Sequence, residues 1–126
     1  MSKIVIIILF LIVSSHVNAE WTYVGTNDEQ KYYIDYDRIT KGKGFSYYWL
    51  LQNNPRPTES GDFSYIMYVM LHCDPPRRQK VLKYISYQYR FGRGKMLDQW
   101  SDKEEPWSYP KPESVLENIM NEVCRH

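Results

Sequence analysis

The chain has no long apolar run. Its one sizeable stretch, Ile4 to Val13, holds ten residues, half of the ~20 that a membrane-spanning helix needs. It also lacks a dominant charge, with 16 Lys plus Arg against 15 Asp plus Glu. Near-neutrality gives no global ground for nucleic acid or an anionic membrane as partner. No acidic or basic block is long enough to form a disordered tail. No serine sits in a nucleophile-elbow pattern.

The ten-residue run stands where an export signal places one. Lys3 precedes it, Ser14-Ser15-His16 break it, and Val17-Asn18-Ala19 supplies small residues for cleavage. Residues 1–19 therefore read as a cleavable secretion signal and 20–126 as one mature domain. No cysteine follows Ala19 to carry a lipid, so the expected location is the periplasm or the cell exterior without a lipid anchor. Lys3 is the only charged residue before Glu20, so the mature chain balances fifteen bases against fifteen acids.

Cys73 and Cys124 are the only two cysteines. An even count in an exported chain reads as a disulfide. Closing a loop of about fifty residues stabilises by ~4 kcal/mol in the loop-entropy model. His72-Cys73 and Cys124-x-His126 could also be read as zinc ligands. Adjacent strand residues point to opposite faces, and the spacing fits no zinc motif, so no metal or cofactor is expected.

Twelve tyrosines and four tryptophans favour half-buried strands. Strand candidates are Glu20–Val24, Lys31–Asp37, Phe45–Gln52, Phe63–Cys73, Lys80–Phe91 and Lys95–Trp100. Gly25 to Asp28, Lys41 to Gly44, Asp74 to Arg77 and Gly92 to Gly94 read as turns. Asn53 to Asp62 reads as a polar, mobile loop, and Ser101 to Pro112 as a charged one. Phe45, Tyr47, Trp49 and Leu51 share one face. Phe63, Tyr65, Met67, Val69, Leu71 and Cys73 share another, with Cys73 inward. Val81, Ile85, Tyr87, Tyr89 and Phe91 should face together, with Lys83 the exception. Ser114 to Glu117 fits a capping box. Val115, Leu116, Ile119, Met120, Val123 and Cys124 then form a helical apolar stripe, which would lie on the sheet and bring Cys124 to Cys73. The expected fold is α+β: a curved antiparallel sheet of about six strands with one C-terminal helix packed on one face.

From Trp21-Thr22-Tyr23-Val24 and Lys31-Tyr32-Tyr33-Ile34-Asp35, the chain resembles the bacterial surface-adhesin E family. The resemblance continues through Trp49, Ser64 to Cys73, Gly92-Arg93-Gly94-Lys95, Trp107 and the Ser114 to Cys124 segment. It implies the same sheet, helix and disulfide, and a non-enzymatic exported protein. The family is named for attachment to host proteins.

Asp35 and Asp37 lie two apart, a spacing that could serve acid–base chemistry. A structural acceptor at a strand end is the commoner role for Asp35. Gly92-Arg93-Gly94-Lys95 lacks phosphate-loop spacing and reads as a hairpin turn. Arg77, Arg78, Lys80 and Lys83 cluster before and within the fifth strand, and Arg90, Arg93 and Lys95 at its far end, interleaved with Tyr84, Tyr87 and Tyr89. Such a surface can bind a partner, or it can protect a sheet edge with charge. It is the first candidate binding face, and the Asn53 to Asp62 loop is the second. The expected function is non-catalytic binding of adhesion type, to a protein or cell-envelope component. The rival is a periplasmic accessory, an envelope-structural protein, or an inhibitor of another exported protein. The exported chain should have the mass of Glu20–His126 less two hydrogens. Intact-mass spectrometry that found residues 1–19 still attached, or two free thiols, would overturn this reading.

Overall fold

The computed structural model describes residues 19–101 and 104–126. The expected secretion signal up to Asn18, and Asp102 and Lys103 of the charged loop, lie outside the described residues.

One antiparallel sheet runs in the order β1-β2-β4-β5-β6-β7, with β3 pairing β4. Its strands are β1 Thr22–Asn27, β2 Gln30–Ile34, β3 Thr40–Gly42, β4 Phe45–Asn53, β5 Ser64–His72, β6 Arg78–Tyr89 and β7 Arg93–Ser101. The single helix among the described residues is α1, Val115–Cys124. Six strands match the sequence expectation. The seventh, β3, falls where Lys41 to Gly44 reads as a turn. It lies along the same edge of β4 as β2 does, at Phe45, Ser46 and Tyr47. Between β2 and β3 the chain leaves the ladder in a one-turn 3-10 segment, Tyr36–Arg38, capped by Asp35.

The Gly25 to Asp28 turn moves two residues onward. Gly25, Thr26 and Asn27 stay in β1 and pair with β2 after a bulge. Gly25 is needed because α1 crosses here: a Cβ at this position would collide with the Val115 Cγ2 methyl. Asn118 Nδ2 then donates to the Val24 carbonyl at 2.8 Å. One outer strand of the sheet is thereby tied to the helix.

The helix begins at the expected Ser114 cap with half of the capping box formed, because the Glu117 carboxylate accepts from the Glu113 amide at 3.3 Å while the Ser114 amide donates to the Lys111 carbonyl at 3.2 Å. Ser114 Oγ accepts from the Glu117 amide at 3.2 Å. Its apolar stripe buries Ile119, Met120 and Val123 against Val24, Ile34, Tyr48, Leu50, Val69 and Leu71. Tyr48 is fully buried and donates its hydroxyl to Gln79 Oε1 at 2.5 Å. Burial pushes this phenol far above its ordinary range. Cys73 and Cys124 form the expected disulfide, with Cα atoms 5.8 Å apart.

The strand faces are as read for β5, but not for β6. Tyr68 stands opposite Lys83 and Val69 opposite Val81, so Leu82 is an extra residue in β6. A bulge of this kind reverses the alternation beyond it. Val81 therefore packs with the helix-side core, while Lys83, Ile85 and Tyr87 turn to the other face. The expected common face of Val81, Ile85 and Tyr87 fails for that reason, and Lys83 is no exception. Phe91 leaves the strand altogether, in a turn spanning Arg90–Gly92.

Changing both cysteines to serine should lower stability by ~4 kcal/mol, the loop-entropy value for this closure. Chemical denaturation in non-reducing buffer measures it, and an unchanged midpoint would refute the structural role of the bond.

Candidate functional site

Helix α1 takes one sheet face, and no helix among the described residues covers the other. The ladder register puts Tyr33, Phe45, Tyr47, Trp49, Leu51, Ile66, Tyr68, Met70, Ile85 and Tyr87 on this open face. Tyr68 stacks against Tyr47 at 5.9 Å and leans on Trp49 at 4.8 Å. At one end, Trp107 lies parallel to Phe45 at 6.3 Å. Arg78 and Lys80 sit over its indole, at 4.9 and 4.2 Å from the centroid.

A groove of about 680 Å³ opens on the same face. Its walls include Trp21, Arg38 and Trp49 on one side, and Phe91, Gly92 and Arg93 on the other. Ile66, Ile85 and Tyr87 lie between them, and Ala19 stands at the lip.

The first wall depends on Asp35. This buried carboxylate accepts from the Asp37 amide at 3.1 Å and from Arg38 Nε at 2.6 Å. Arg38 is thereby held with its guanidinium carbon 5.7 Å from the Trp21 ring and 5.2 Å from Trp49, within cation–π range. Asp35 is occupied as a cap and as an anchor for Arg38, which is the structural role its strand-end position indicates.

The second wall is built around a strained residue. Phe91 has φ +62°, a left-handed backbone that costs a non-glycine residue of order 1–3 kcal/mol. Buried polar groups of β4 and β5 hold it there. The Phe91 amide donates to Asn53 Oδ1 at 2.9 Å, and the Gly92 amide donates to Ser64 Oγ at 2.9 Å. Ser64 Oγ donates onward to the Tyr89 carbonyl at 2.6 Å. Arg90 donates to the carbonyls of Asn54 and Pro55, at 3.2 and 2.7 Å. At Gly92 a side chain would strike Ile66. The Phe91 ring meets Tyr33 edge-on at 5.1 Å and remains 37% exposed. Its other side borders a second cavity of about 380 Å³, lined by Glu29, Lys31, Tyr33, Asn53, Asn54, Pro55 and Arg90.

The basic and aromatic residues singled out from sequence are divided by this architecture. Arg78, Lys83 and Tyr87 lie on the open face, and Arg93 is at the groove rim. Tyr84 is on the helix side, stacked between Tyr65 at 5.2 Å and Trp100 at 5.5 Å. Burial and then the neighbouring Tyr65 push its phenol well above the ordinary range. Arg77 reaches the helix end, donating to Asn121 Oδ1 and to the Cys73 carbonyl. Arg90 is committed to the loop carbonyls. Tyr89 is more than half exposed and packs over Gly94, while the Lys95 amide meets Gln88 Oε1. The Asn53 to Asp62 loop is bonded to itself: Thr58 N to the Asp62 carbonyl at 3.0 Å, and Asn54 Nδ2 to the same carbonyl at 3.2 Å.

Trp21, Arg38, Trp49 and Phe91 are not among the candidate binding residues that the sequence points to. One signal for them exists. Phe45 to Gln52 is apolar at both parities, so a sheet with one helix must leave one apolar face uncovered.

The family described as surface-adhesin protein E matches the chain over residues 21–125. The chain belongs to this family. Among solved structures, Haemophilus influenzae protein E superposes with a TM-score of 0.57 at 17% identity, covering 86% of this chain and 86% of that one. A second crystal form of the same protein gives 0.54 at 19% identity, covering 75% and 80%. Protein E from non-typeable Haemophilus influenzae gives 0.52 at 17%, covering 82% and 75%. Identities this low carry the fold alone. No curated protein sequence matches the chain.

Within this adhesin E domain, Asp35→Ala should lower stability by about 2 kcal/mol, through the lost cap and the lost charged hydrogen bond. Urea denaturation checks it, and a change near zero would mean that Arg38 is positioned by other contacts.

Proposed function

We propose that the mature chain is an exported, non-catalytic binding module of adhesion type. It meets a protein or cell-envelope partner through the open face of its sheet. The observation that carries this reading is the uncovered face itself, where tryptophan, tyrosine, phenylalanine and arginine surround a groove. These are the residue types enriched at protein interfaces and their energetic hot spots. Membership of the surface-adhesin protein E family supports the same reading.

The groove offers little to catalysis. Its titratable lining is Arg38, Tyr87 and Arg93, without the base and nucleophile pair that group transfer needs. No helix among the described residues is long and apolar enough to cross a membrane. Export rests on the N-terminal segment, with cleavage after Ala19.

Protease treatment of intact cells tests the placement. The protein should disappear on shaving, and the purified mature chain should adhere to surfaces coated with host matrix extract. Protection from protease until the periplasm is opened would replace adhesion by an accessory, structural or inhibitory role inside the envelope.

A further inference from the structure

We infer that the open-face groove takes an acidic segment of a protein partner, with Phe91 as its apolar anchor. This deepens the reading of the open face as the binding surface and rests on it.

Charge argues for the sign of the partner. The ladder positions of the open face include Lys31, Arg78, Lys80 and Lys83 and no aspartate or glutamate. Arg93 adds a cation at the groove rim. Among the described residues, none of these five forms an ion pair; the three ion pairs there belong to Arg38, Arg56 and Arg125. The nearest carboxylate in the adjoining cavity, Glu29, lies beside Arg56. On a near-neutral chain, these five cations stand on one side without an ion-pair partner among the described residues, Arg78 and Lys80 over the Trp107 indole and Lys31, Lys83 and Arg93 away from it. Arginine forks suit carboxylates in particular.

The apolar components argue for a polypeptide over a polyanionic glycan. A glycan would need the cations but not Ile66, Ile85 and the phenyl ring of Phe91. Apolar side chains interspersed with carboxylates match both. Phe91 stands out because strain must be offset to keep it in place. Asn53 and Ser64 are almost fully buried, and both direct hydrogen bonds to this one turn. A glycine or asparagine would close the same turn without strain. The ring is what the phenylalanine adds, and it sits between two cavities.

The probe is a fluorescently labelled glutamate–tyrosine copolymer, titrated against the mature chain and followed by anisotropy. Polyglutamate, a lysine–tyrosine copolymer and heparin are the comparisons. The glutamate–tyrosine copolymer should bind at least about ten-fold tighter than polyglutamate or the lysine–tyrosine copolymer, and added salt should weaken it. Phe91→Asn should reduce that affinity by about ten-fold with the melting temperature retained. Arg93→Glu, at an exposed rim position, should do the same. Equal binding of the acidic and basic copolymers would overturn the inference. So would wild-type affinity in both variants, or heparin binding tighter than the copolymer and indifferent to Phe91. If the mature chain adheres to matrix-coated surfaces but ignores the acidic copolymer, this inference fails and the adhesion reading stands. If it does neither, both fail.

Discussion

The packing of one helical stripe onto one side of the sheet determines what the other side can be. Ile119, Met120 and Val123 are nearly or fully excluded from solvent against Tyr48, Leu50, Val69 and Leu71. At roughly 25 cal/mol per Å² of apolar surface removed from water, this is the main source of stability. The disulfide holds the end of the stripe to β5, and Asn118 holds its start to β1. With one helix consumed in this way, the remaining aromatic face is left to its own side chains and to Trp107, which covers Phe45 at one end. It is partly self-covered, as Leu51 is fully buried there. The rest stays open as a groove.

The two groove walls are positioned by buried polar groups. Asp35 fixes Arg38, and Asn53 with Ser64 fixes the turn that carries Phe91. Buried polar atoms are tolerated when they are hydrogen-bonded, and here the bonds run outward to rim residues. The Phe91 turn is thereby set from the interior of β4 and β5, and Arg38 from the cap that follows β2. This arrangement places the rim side chains on a hydrogen-bonded interior.

Much of the fold was legible in the sequence because its signals are local. The Ser114 cap, the helical stripe and the alternation of β5 each depend on residues a few positions apart. The pairing of Cys73 with Cys124, 51 residues apart, was legible for another reason: two cysteines allow one intramolecular pairing, and the helical stripe and the β5 face bring them together. The face of β6 was not legible, because a bulge at Leu82 is set by the register against β5 and not by Leu82 itself. The groove was missed for a related reason. Arg38 meets Trp21 and Trp49, and Phe91 meets Asn53 and Tyr33, across strands distant in sequence. Basic residues adjacent in sequence were instead assigned to one surface, while β6 sends Lys83 and Tyr84 to opposite ones.

The extra residue at Leu82 also acts as a frame marker. Downstream of it, β6 sends Lys83, Ile85 and Tyr87 to the open side. Upstream, Val81 joins the core and Gln79 meets the Tyr48 hydroxyl. A chain one residue shorter here would keep only one of these two halves in phase. Either Lys83 would be driven beneath the helix, or Gln79 would abandon Tyr48 and leave a buried phenol with no acceptor. The length of this strand is therefore constrained more tightly than its open-face composition: an exchanged side chain there alters one contact, whereas a residue lost between Val81 and Lys83 alters the phase of half the strand.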